Sequence, residues 1–465
     1  MSMFDKQIYI ARRQRLKQQL GSGLVLLMGN EDSSMNYKDN VYHFRQDSSW
    51  LYFFGLDKAG LAGIIDIDND REVLFGRELT LDEIVWMGPQ PSIVDQAAGA
   101  GITEVQAPES VGSVLDKARK AGQTIHYLPP YRPENILKLS EWMGVAPGAV
   151  KDGASVALIK AVVAQRSIKS VEEVEQIEEA VNITAAMHSA AMRGAKEGMT
   201  EAELAGVLEG IAVSAGGNLS FPIILTVNGQ VLHNHFSQTI MRSGQLALCD
   251  AGAENRMHYA GDMTRTFPVG KSFTGIQREM YDIVLSAQEA AVAALKPGVL
   301  FRDVHFIAAE KLVEGLKAVG VMKGDVKEAV AAGAHTMVFQ CGLGHMMGLD
   351  VHDMEDLGEQ YVGYTEDLIK SKEFGLKSLR LGRALEPGFV VTIEPGLYFI
   401  PELMDLRKSE KKFFDFINYD KLEAFRSFGG IRIEEDLLIT ETGSRLLGNP
   451  LAKGAKEVEE LRIEG

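Results

Sequence analysis

The chain has 465 residues, 46% hydrophobic and 24% charged, which excludes disorder and implies more than one core at roughly 100–200 residues per domain. Its 64 acidic against 48 basic residues give a formal charge of −16, which repels a phosphate backbone and excludes nucleic acid as the expected partner. Two cysteines, Cys249 and Cys341, are too few for a disulfide framework or a thiolate zinc site.

The first twenty residues, MSMFDKQIYIARRQRLKQQL, carry charges throughout and lack the apolar run of a secretory signal. No run of about 18 apolar residues follows, so no membrane partner is expected and the setting reads as reducing and cytoplasmic. Gly23 to Gly29 (GLVLLMG) predicts a short apolar strand. LAGIIDID from Leu61 and EVLFG from Glu72 predict a hairpin turning at Asn69 and Asp70. LPPYRP from Leu128 and GVAPGAVKDGAS from Gly144 break the periodicity, which places a linker near 150–170 and divides the chain into domains 1–160 and 161–465.

The second domain opens with a helix. Val171, Val174, Ile177, Val181 and Ala185 form one apolar face, with Ser170 as N-cap. Further helices are predicted from Thr200, from Gln277 to Leu295, and around Val304 to Val319, while 356–379 and 404–427 read as polar insertions.

Five later segments put acids or histidines where plain strands would not. They are LALCDAGAE with Asp250, YAGDMTRTFPVG with Asp262, CGLGHMMGLDVHD with His345 and His352, VVTIEPGLY with Glu394, and GGIRIEEDLLIT with Glu434. A turn through 254–256 would bring Asp250 and Asp262 side by side. In the last segment, alternation puts Arg432, Glu434 and Asp436 on one face and Glu435 on the other. A single acid of this kind is usually a turn or cap. Five together, each beside glycine or proline, call for two divalent cations, since four carboxylates and one imidazole suit manganese, cobalt, iron or zinc. Such a pair of ions activates water for hydrolysis.

These segments resemble those of the pita-bread metallopeptidases, the creatinase, methionine aminopeptidase, prolidase and aminopeptidase P superfamily, from Ser167 to about Thr442. YHFRQDSSWLYFFGL, Tyr42 to Leu56, resembles the N-terminal signature of its proline-specific branch. The resemblance implies an α+β pita-bread domain preceded by a smaller α/β domain, and a homodimer. It implies metal ligands at Asp250, Asp262, His345, Glu394 and Glu434, with Asp262 and Glu434 bridging two ions, manganese first. His233 and His352 resemble the histidines that hold substrate and oxyanion. Glu394 also resembles the general base, and Tyr398 and Arg432 resemble orienting groups, whereas His235 reads as a surface loop histidine.

Where the family usually reads HGLGH this chain has CGLGH, so Cys341 replaces a histidine near the substrate, as a small buried hydrophobe or in a role of its own. The connection GLKSLRLGRALEPGFVVTIEPGLYFIPELMD looks closer to prolidase than to bacterial aminopeptidase P. Arg380 within it matches the arginine that clamps the carboxylate of an Xaa-Pro dipeptide. The implied activity is Xaa-Pro dipeptidase, with Xaa-Pro aminopeptidase on longer peptides as the alternative. A metal-free binding module and a creatinase-like amidine hydrolase fit less well, because all five ligand types are retained.

Overall fold

A computed structural model describes residues 4–464. The chain divides into two compact units, one reaching Arg166 and including Met354–Tyr361, the other Ser167–Asp353 and the chain from Val362. The helix Val156–Arg166 runs through the expected division at 160, because its apolar residues Leu158, Ile159, Val162 and Val163 are all buried.

In the first unit Leu24–Met28 pairs antiparallel with Ala62–Asp66, which pairs with Arg71–Phe75 through the expected hairpin; Asp70 takes the left-handed conformation its turn requires, φ 46°. Parallel edges, Glu104–Gln106 and Ile125–Tyr127, complete a five-stranded sheet. One face meets Val111, Leu115 and Leu139 in an apolar core. The segment Tyr42–Leu56 forms the helix Ser48–Phe54, capped by the Asp47 side chain and buried at every residue. Trp50 stacks on Phe54 at 4.4 Å and donates from Nε1 to the Leu56 carbonyl.

The second unit combines four long helices with short antiparallel sheets, and is α+β. Val171–Gly194 starts at the predicted cap, where Ser170 and Glu173 form a capping box. Val174, Ile177, Val181 and Ala185 are buried as the spacing predicts, but Val171 is 73% exposed because it lies in the first turn, ahead of the helix's buried stretch. The helices Glu201–Ser214, Gly275–Ala294 and Phe301–Ala318 follow the expected order. Within the polar insertions only short helices form, Glu359–Gly363, Pro401–Ser409 and Tyr419–Glu423. None of the described helices is long and apolar enough to cross a membrane.

Candidate metal centre and substrate pocket

Strand pairing explains how residues far apart in sequence meet. Leu246–Ala251 pairs with Met263–Pro268, with Asp250 opposite Thr264. Asp262 lies two residues before Thr264 and therefore shares its face. Gly261 fixes the approach of this strand, since an added Cβ would sit 2.8 Å from the backbone of Ala180 and Val181 in the first helix of the unit. Val390–Ile393 pairs with Glu435–Ile439, Ile393 facing Glu435, so Glu394 and Glu434 leave the same end of one ladder. The Glu434 amide donates to the Thr264 carbonyl at 3.1 Å, which ties this ladder to the first.

The segment bearing His345 is zipped to the same strand. Thr392 Oγ1 accepts the His345 amide, the Thr392 amide donates to the His345 carbonyl, and the Glu394 amide donates to Leu343. Gly344 permits this contact, because a Cβ there would lie 2.1 Å from the Thr392 carbonyl. The ring of His345 uses Nδ1 toward the Met346 carbonyl at 3.0 Å, which leaves Nε2 to face Asp262 at 3.5 Å and Glu394 at 3.6 Å.

Ligand atoms of Asp262, His345 and Glu434 all lie within 4.8 Å of one another, and all three residues are buried. Asp262 Oδ1 and Glu434 Oε1 have no hydrogen-bond partner. Burial, reinforced by neighbouring carboxylates, pushes the Asp262 and Glu434 pKa values well above the usual range, and burial pushes Glu394 up to about 7. Unpartnered carboxylate oxygens around an imidazole nitrogen are a donor set that fits divalent cations. Asp250 sits at the edge of this group, its Oδ2 paired with the Arg432 guanidinium.

Arg432 organises the surroundings. It also donates to Tyr398 Oη at 2.8 Å and to Thr264 Oγ1 at 3.0 Å, and Thr264 Oγ1 donates in turn to Glu434 Oε2 at 2.7 Å. Glu435 turns away to a buried ion pair with Arg265, in keeping with the strand phase. Asp436, on the same phase as Glu434, accepts the Asp262 amide. Thr264 is not singled out by the sequence, and Asp436 shows there only in the alternation with Arg432 and Glu434, although both follow a named acid by two residues. Removing the Thr264 hydroxyl by Thr264→Val should lower divalent-metal affinity about 10–100-fold, measured by calorimetric titration, with Thr264→Ser restoring it.

A pocket of about 300 Å³ opens over this cluster. His233, His352, Arg380, Tyr398 and Arg432 all line it with the five expected ligands. The ring of His352 lies 4.3 Å from that of His345. His233 is at the rim, its pKa lowered by partial burial and by the Arg432 charge. His235 is exposed, as a loop histidine would be, yet it lines the same pocket. Cys341 is half-buried there, its thiol pushed up to about 12 by burial and so held protonated.

The model of metallopeptidase family M24 matches residues 175–441, and that of the aminopeptidase P N-terminal domain matches 9–126. Human Xaa-Pro dipeptidase is 31% identical over 95% of this chain and 90% of its own length. Xaa-Pro aminopeptidase of Escherichia coli K12 is 32% identical over 100% and 99%. The structure of E. coli aminopeptidase P with the inhibitor Pro-Leu superposes with a TM-score of 0.80 at 30% identity, covering 100% of this chain and 99% of that one. Its zinc-substituted form in complex with product gives 0.79 at 29% with the same coverage. Family models spanning both units and full-length relatives agree with the carboxylate–histidine cluster, and the chain belongs to metallopeptidase family M24.

Proposed function

We propose that this chain is a metal-dependent Xaa-Pro dipeptidase holding two divalent cations, manganese by preference and cobalt, iron or zinc as alternatives. The observation that carries the reading is the convergence of the Asp262–His345–Glu434 cluster and Arg380 on one pocket. Asp250, Asp262, His345, Glu394 and Glu434 would hold the cations. Bound there, divalent cations supply Lewis acidity toward a peptide carbonyl and make a water acidic enough to attack it.

The remaining work falls to the chain's own groups. Glu394, half-buried in the pocket lining, takes the proton of the attacking water. His233 and His352 donate to the substrate and to the oxygen that gains charge. Arg432 keeps Asp250 aimed through their ion pair, and Tyr398 Oη accepts from the guanidinium on its other side. Arg380 fixes the free carboxylate of a dipeptide, which excludes longer chains.

A second reading is Xaa-Pro aminopeptidase. It is favoured by the full-length match to the E. coli enzyme of that name, at an identity almost equal to that of the human dipeptidase. A homodimer and a cytoplasmic location complete the proposal, the first on resemblance, the second on the paucity of cysteine. The test is hydrolysis of Ala-Pro against Gly-Pro-Hyp and Arg-Pro-Pro by manganese-loaded protein, with a chelated control. Turnover of Ala-Pro alone, lost on chelation, is the expected result; cleavage of the longer peptides would move the assignment to the aminopeptidase.

A further inference from the structure

We propose that Cys341 sets the size of the subsite for the residue after the scissile bond, so that this site hydrolyses dipeptides ending in a six-membered imino acid, pipecolate, as well as in proline. The inference rests on the Xaa-Pro reading above and deepens it.

Charged and hydrogen-bonding groups share the pocket lining with apolar ones, Phe221, Pro222 and Val351 in addition to a patch formed by Ile224, Leu232 and Cys341. There Cys341, Leu232 and Ile400 pack against Ile224 and Tyr398, with the thiol 3.9 Å from Tyr398 Oη. The position of this wall follows from the backbone. Ser378 Oγ donates to the Gln340 carbonyl at 3.3 Å, and a Cβ on Gly342 would meet the Ser378 carbonyl at 2.7 Å. Residues 340–342 are thus packed on the segment that ends, two residues later, at Arg380. Ser378 and Arg380 line the pocket beside Cys341.

A dipeptide whose carboxylate is fixed by Arg380 carries its imino-acid ring within reach of that wall. Apolar contact is what a saturated ring can exploit, and neither Leu232 nor Ile224 offers it a competing polar group. A thiol ends one atom past Cβ, where an imidazole or an isobutyl group would fill the space with several more. The room left by those missing atoms is at least that of the single methylene by which pipecolate exceeds proline. Pocket fit at that scale changes kcat/KM by roughly 10–200-fold per methylene.

The experiment compares kcat/KM for Ala-pipecolate and Ala-Pro in the manganese-loaded wild type and in Cys341→His, Cys341→Leu and Cys341→Ala. The wild-type ratio of the two substrates is expected to be within about tenfold of unity, since no methylene is excluded. Cys341→His and Cys341→Leu should each lower that ratio by roughly 10-fold or more, whereas Cys341→Ala, smaller still, should keep it. Two space-filling residues of different polarity guard against one of them failing to fold. A wild type that hydrolyses Ala-Pro but rejects Ala-pipecolate, or a ratio that neither filling residue changes, overturns this inference alone. Absence of turnover on both dipeptides overturns the Xaa-Pro reading and this inference with it.

Discussion

Glu394→Gln is expected to lower kcat on Ala-Pro by about 10²–10⁴-fold at saturating manganese, with KM changed much less. The amide keeps the size of the side chain and one oxygen, so packing against the strand Val390–Ile393 is preserved. What it removes is a carboxylate that can accept a proton. In the structure that carboxylate stands 3.6 Å from His345 Nε2 and accepts from Thr392 Oγ1 at 3.5 Å, within reach of the cluster and of the open pocket. Titrating the variant with manganese separates the two roles assigned to it. Activity that returns to the wild-type level once metal is saturating would mean that Glu394 serves as a ligand alone.

Arg380→Ala should cost about 2–5 kcal/mol in kcat/KM for a dipeptide, a roughly thirty- to several-thousand-fold loss. Arg380 is half-buried in the pocket wall, and a guanidinium there can take both oxygens of a carboxylate in one plane. Arg380→Lys should recover little, because an ammonium offers a point charge rather than a fork. Longer peptides, which present an amide at that place, should lose far less. Equal losses on Ala-Pro and on Arg-Pro-Pro would remove the clamp and favour the aminopeptidase.

Local chemistry made much of this fold legible in the sequence. Ser170 and Thr200 announce their helices because a hydroxyl three residues before a glutamate satisfies free backbone amides at the start. The turn at Asp70 and the buried helix after Asp47 are equally local. The carboxylates of the cluster stood out because charges inside apolar strands demand a compensating partner.

What the sequence hid depends on pairings across long separations. Thr264 becomes a link between Arg432 and Glu434 only once the register sets Asp250 opposite Thr264 and brings Glu434 over the same strand. Asp436 is visible in the alternation but acquires its contact to Asp262 in the same way. His235 looked like a loop residue because nothing nearby in sequence predicts its bridge to Ile224, which turns it toward the pocket. The compact units part at Arg166, within the expected linker of 150–170, where the buried helix that follows the Gly/Pro-rich stretch ends. Relatives named Xaa-Pro dipeptidase and Xaa-Pro aminopeptidase match this chain at 31% and 32% identity, so overall similarity favours neither name.

The most direct test of the account is calorimetric titration of metal-stripped protein with manganese, alongside thermal denaturation. Two ions per chain are expected, and at a free concentration a hundred times Kd each bound ion should stabilise the fold by about 2.7 kcal/mol. In Asp262→Asn both the uptake and the shift in Tm should largely disappear. No uptake by the wild type, or uptake that Asp262→Asn leaves untouched, would contradict the assignment of this cluster as the metal centre.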